Sequence, residues 1–100
     1  MGDVSPVSKR LKQARILNGL SQKQLGIDAG IDEFSASARV NQYETGKHVP
    51  DFLTLKRIAM VLGYPVAYFY AEDENLALMI KEFSKLDKRC RDKLLKIITR

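Results

Sequence analysis

Ser21-Gln22-Lys23-Gln24-Leu25-Gly26, then Ala29-Gly30-Ile31, then Val40-Asn41-Gln42-Tyr43-Glu44-Thr45-Gly46 form the stretch that decides how this chain folds. It reads as two short helices joined by a tight connection. Ser21 is a good N-cap, because its hydroxyl can accept a bond from an orphan amide of the first helical turn. Gly26 falls four residues past Gln22, on a face that a second helix must approach closely. Gly30 falls where the chain must turn and positive φ is expected. Val40 and Tyr43 give the second helix an apolar edge at i, i+3 spacing. The arrangement is a helix-turn-helix, which sets one helix in the major groove of DNA.

The flanking sequence extends this pattern with helices alone. A first helix is expected from Ser8, as N-cap, to Asn18, with Gly19 stopping it. Its apolar stripe is Leu11 and Ala14, with Val7 and Leu17 at its margins. The second helix runs from Gln22 to Ala29 around Leu25, and the third ends near Glu44. Asp51 should cap a fourth helix that buries Leu55, Ile58, Ala59 and Leu62 and stops at Gly63. A short turn of helix covers Val66 to Tyr70, with Phe69 plugging the core. Nowhere does strict alternation compete as a strand.

Beyond residue 75, Leu76, Met79, Ile80, Phe83, Leu86, Cys90, Leu94 and Ile97 recur at three- and four-residue steps. One long helix fits them. A break at Ser84-Lys85-Leu86-Asp87, with Asp87 capping a separate helix from Lys88 to Ile98, fits better. The chain therefore divides into a unit over 1–71 and a helical extension over 72–100.

One hundred residues with 45% apolar and 29% charged side chains make a globular chain with one core. No apolar run is long enough to span a bilayer and no signal-peptide pattern opens the chain. A single cysteine, Cys90, fits a reducing compartment, so the expected address is cytoplasmic. One histidine and one cysteine cannot furnish a metal site, and no cofactor is expected. There is no nucleophile–base pair, carboxylate pair or phosphate loop to support an enzyme.

The net charge of +5 is unevenly placed. Residues 1–75 hold nine Lys/Arg and nine Asp/Glu, while residues 76–100 hold eight and three. The segment expected to touch DNA is thus neutral overall. Within it, Lys9, Arg10, Lys12 and Arg15 crowd the first helix, and Arg39 and Lys47 flank the third.

From Leu11 to Tyr70 the chain resembles the Cro/C1-type helix-turn-helix family, also called the XRE family, of phage repressors and bacterial regulators. The matching stretches are Arg15-Ile16-Leu17-Asn18-Gly19-Leu20-Ser21-Gln22-Lys23-Gln24-Leu25, Ala29-Gly30-Ile31, Tyr43-Glu44-Thr45-Gly46-Lys47 with Pro50, and Leu55-Lys56-Arg57-Ile58-Ala59 with Leu62-Gly63. The resemblance covers about 60 of the 100 residues. It implies an all-α fold: a compact five-helix, lambda-repressor-like domain, here carrying the C-terminal extension. It also implies a transcriptional regulator, repressor-like, that binds double-stranded operator DNA as a homodimer. The alternative is an antitoxin-like module whose C-terminal segment binds a partner protein.

Residue by residue, Ser37, Ala38, Asn41 and Gln42 match positions that the family aims at base edges, with Arg39 beside them. Small and amide side chains suit groove reading, since an amide pairs bidentately with adenine and a small group meets a thymine methyl. Gln22, Lys47 and His48 match positions that meet the DNA backbone. Arg15 and Glu44 match an ion pair joining the first and third helices. Tyr64, Tyr68 and Tyr70 are better placed for packing than for stacking on bases.

One departure stands out. The family places its third-helix Ile or Val about six residues after the turn glycine, whereas Val40 follows Gly30 by ten. Four added residues approximate one helical turn. A third helix lengthened at its start, beginning after Asp32, is the preferred reading. A longer loop capped by Ser35 or Ser37 is the alternative.

Overall fold

The computed structural model describes residues 5–100, which are all-helical with no strand among them. The first four positions of the expected 1–71 unit lie outside the described residues. The elements are α1 (Val7–Leu17), α2 (Gln22–Asp28), α3 (Ala36–Thr45), α4 (Phe52–Leu62), α5 (Val66–Tyr70), α6 (Glu74–Lys85) and α7 (Lys88–Ile98). Helices α2 and α3 share the most extensive packing, and α1 lies against α3.

The core follows the helical steps of the sequence. α1 buries Val7, Leu11 and Ala14; α2 buries Leu25; α3 buries Ala36, Val40 and Tyr43. α4 adds Leu55, Ile58, Ala59 and Leu62, and α5 adds Tyr68 and Phe69. Tyr64, Tyr68 and Phe69 cluster in the core, with Tyr68 edge-on to both neighbours and the Tyr64 and Tyr68 centroids 4.8 Å apart. Leu17 differs from expectation and is exposed. α1 ends there, where Asn18 folds back to donate from both its backbone and side-chain nitrogens to the Ala14 carbonyl. The start of α1 also differs: Pro6, not Ser8, occupies the N-cap position, and the Ser5 hydroxyl accepts from the Val7 amide.

Two glycines shape the helix-turn-helix. A Cβ on Gly26 would sit 2.7 Å from the Ala36 Cβ, so α2 and α3 approach as closely as they do only because that atom is missing. Gly30 carries φ of +89°, the left-handed conformation that a tight exit from α2 requires.

The four added residues do not lengthen α3. They form a turn ahead of it. The Asp32 carboxylate accepts from the Phe34 amide at 3.1 Å and the Ser35 hydroxyl at 3.3 Å, and the Asp32 carbonyl accepts from the Ser35 amide at 3.0 Å. An Asp side chain that bonds its own backbone two residues on offers the chain an alternative to helix, and here that alternative wins. Ser35 stands at the N-cap of α3 without a side-chain capping bond.

The C-terminal quarter is two helices, as the break at Ser84–Asp87 predicts. Asp87 caps α7 by accepting from the Cys90 amide at 2.8 Å. α6 packs on α5, burying Ala77 and setting Ile80 against the core. α7 buries nothing. Its attachment to α6 runs through Arg91, whose guanidinium donates to the Phe83 and Ser84 carbonyls and lies over the Phe83 ring.

Candidate nucleic-acid interface

Packing fixes which face α3 shows to solvent. Ala36, Val40 and Tyr43 point inward at steps of four and three, so Ser37, Ala38, Arg39 and Asn41 stand exposed, with Gln42 half-buried beside them. The five base-reading candidates thus lie on the outward part of one short helix. Arg39 pairs with neither Glu33 nor Glu44. Its guanidinium donates to the Tyr43 hydroxyl at 2.9 Å and lies near that ring, which holds it along the helix.

Arg15 and Glu44 meet in a two-pronged pair, Nε to Oε2 at 2.5 Å and Nη2 to Oε1 at 3.0 Å. The third guanidinium nitrogen donates to the Leu20 carbonyl at 2.9 Å, tying the same arginine to the α1–α2 connection. The bond to Glu44 raises the Arg15 pKa against the opposing effect of burial. Gln22 joins this network. Its amide nitrogen donates to Glu44 Oε1 and to Asn41 Oδ1, both at 3.1 Å. Gln22 at the start of α2 therefore bridges Glu44 and Asn41 on α3, a linkage that separate inspection of the motif positions does not reveal.

Lys47 and His48 follow α3 and are exposed. The His48 amide donates to the Gln42 carbonyl at 3.2 Å, and Gly46 closes α3 with φ of +80°. Among the described residues Lys47 makes no ion pair. Across the loop, Asp51 caps α4 by accepting from the Thr54 amide at 2.8 Å, and the Thr54 side chain, then that amide, hold its carboxyl below the usual range.

The basic residues of α1 need correction. Arg10 is not available to phosphate: it is only 2% exposed. Its Nε donates to the Ala71 carbonyl at 3.0 Å, Nη2 to the Glu72 carbonyl at 3.2 Å, and Nη1 to Glu74 Oε2 at 2.7 Å. Lys9 also bonds Glu74. The spacing carries the signal, since positions 7, 10, 11 and 14 lie on one stripe of α1. Of the four cations expected to crowd α1, Lys12 alone is neither ion-paired nor buried. No cluster of His, Cys, Asp or Glu among the described residues could hold a metal. None of the described helices is long and apolar enough to cross a membrane.

Comparison with known proteins agrees with this geometry. Residues 11–69 match the family model described as helix-turn-helix. No curated protein matches. The crystal structure of the transcriptional regulator BswR is similar, with a TM-score of 0.84 and 48% sequence identity over 92% of this chain and 91% of that one. On the match over residues 11–69, supported by the arrangement of α2, the turn at Gly30 and α3, this chain belongs to the Cro/C1-type (XRE) helix-turn-helix family of DNA-binding regulators.

Proposed function

We propose that the protein is a cytoplasmic, repressor-like regulator that binds operator DNA as a homodimer. The observation that carries this reading is the outward row Ser37, Ala38, Arg39, Asn41 and Gln42 on a helix locked in place by the Arg15–Glu44–Gln22 network. Ser37, Ala38, Asn41 and Gln42 read base edges, and Arg39 reaches a guanine or a phosphate. Gln22, Lys47 and His48 contact the backbone around the reading helix. Bound dimers act by occupancy, blocking or recruiting polymerase.

A homodimer follows from the number of base pairs one such helix can cover. That number is too small to select among a genome's competing sites, and two copies one helical turn apart remedy it. The extension offers the surface. Leu76, Met79, Ile80 and Phe83 of α6 face Leu94, Leu95 and Ile98 of α7 across an open apolar groove of about 400 Å³. Ile97, placed on the same stripe by its spacing, lies outside that groove. The second reading, a partner protein seated in the groove as in an antitoxin, draws on the same exposed surface.

Selection of bound fragments from random DNA, together with sedimentation equilibrium of the full chain, tests the proposal. A recovered two-half-site sequence bound by a dimer supports it. A chain that stays monomeric at high concentration, alone and on DNA, moves the reading to the partner-binding module.

A further inference from the structure

The turn between α2 and α3 holds an apolar side chain that the fold does not use. Phe34 is 94% exposed, the most exposed of the large apolar side chains among the described residues, although the turn around it is well tied. Its own amide is bonded to the Asp32 carboxylate, and the next residue is bonded to Asp32 through both amide and hydroxyl. Nothing in the packing of the domain asks for a ring there. A polar residue would satisfy the same turn.

The position of the ring points to its use. Ser35 has helical dihedrals and its carbonyl accepts from the Arg39 amide, so Phe34 immediately precedes the N-cap of α3. Phe34 lies two residues before the first residue of α3, in the turn that leads into it, at the end of the helix that carries Ser37 and Ala38. In helix-turn-helix docking the N-terminal residues of the second helix are the ones that reach base edges. The two residues before the ring are Asp32 and Glu33, both exposed carboxylates that repel phosphate. A phosphate contact for this turn is thereby disfavoured. Within the major groove an aromatic ring has one apolar feature to meet, the C5 methyl of thymine.

We infer that Phe34 extends the reading face of α3 and recognises a thymine methyl at the edge of the half-site. This inference rests on the DNA-binding reading above and adds a specificity residue that belongs to the four-residue insertion of this chain.

The test uses the full chain and the fragment that the wild-type protein selects. Each thymine is replaced singly by uracil, which removes the C5 methyl and nothing else. At one or two positions beside the base pairs read by Ser37 and Ala38, uracil should weaken wild-type binding about three- to five-fold, the worth of one buried methyl. Phe34→Ala should weaken binding to the thymine fragment at least as much and be indifferent to uracil at those positions. Phe34→Leu, which keeps an apolar contact, should retain part of the methyl response. Matching thermal melts will show that the variants fold, as expected for a ring that packs on so little. The inference is overturned if Phe34→Ala binds like the wild type, if uracil affects both proteins equally everywhere, or if no thymine occurs at those positions. If the wild-type chain selects no sequence at all, the DNA-binding reading itself fails, which is a different result.

Discussion

The Glu44 carboxylate holds the Arg15 guanidinium by two parallel bonds, and that pair fastens α3 to α1. The Glu44 side chain is 2% exposed and that of Arg15 is 13% exposed, so water cannot replace either partner. Glu44→Ala should therefore cost about 2–4 kcal/mol, since it strands a buried guanidinium. Gln22→Ala, which removes a neutral donor from the same carboxylate, should cost about 1 kcal/mol or less. Urea titration of both variants measures the difference.

Gly26→Ala tests the close approach of α2 and α3. The added methyl would meet the Ala36 Cβ at 2.7 Å, and both atoms are fixed directly to helix backbone. Separating the helices should cost about 1–3 kcal/mol. Because the separation moves α3, DNA affinity should fall further than lost stability alone explains, as read in binding assays held well below the melting temperature.

Specificity and affinity should separate between Gln42 and Lys47. Gln42→Ala should relax preference at one base pair by about 1–3 kcal/mol. Lys47→Ala should weaken binding to every sequence alike and lower the salt slope by roughly one. Titrations on selected and scrambled DNA at several salt concentrations check both. Unchanged base preference in Gln42→Ala would remove that residue from the reading face.

Leu95→Glu and Ile98→Glu place charge in the groove between α6 and α7 at two exposed positions, without touching the core. The double variant should keep its melting temperature as a monomer and lose self-association in sedimentation equilibrium. Operator affinity should drop at least about ten-fold through the lost second half-site. A variant that dimerises undiminished would place the interface elsewhere.

Acid should destabilise the fold through its caps and the ion pairs of Glu74. Hydrogen bonds from Lys9 and Arg10 lower the Glu74 carboxyl, the Thr54 bonds lower Asp51, and the Cys90 bonds lower Asp87. For each, the unfolded chain binds the proton more tightly than the folded one. Their contribution is present above the ordinary carboxylate range and is lost as pH falls below about 4. Asp51→Asn with Asp87→Asn keeps both caps and removes two titrations, so urea midpoints measured from pH 7 to 3 should fall less steeply.

Most of the fold is legible in the sequence because its signals are local. Ser21, Asp51 and Asp87 cap the helices expected of them, and the turn glycines stop theirs. The residues of α3 that face outward follow from Val40 and Tyr43 facing inward. Where expectation and structure part, the deciding contact is with something a helical pattern does not contain. A helix lengthened by one turn preserves the face pattern, yet the Asp32 carboxylate bonds the backbone ahead of α3 and forms a turn instead. Arg10 stands among surface cations in the sequence, although its place on the apolar stripe marks it for burial. Its partners lie more than sixty residues away, which local periodicity does not reach.

Those distant partners bear on how such proteins can be recombined. Two of the three acceptors on Arg10 are main-chain carbonyls, at Ala71 and Glu72, so they stay in place whatever side chains those positions carry. A graft of residues 71–100 onto another five-helix domain therefore carries with it an unmet demand for a donor at the tenth position of the host. A host with leucine there would leave the buried Ala71 carbonyl without its donor. Arginine at that position is therefore one requirement that the extension makes of a host, beside an α5 surface that receives Ala77 and Ile80.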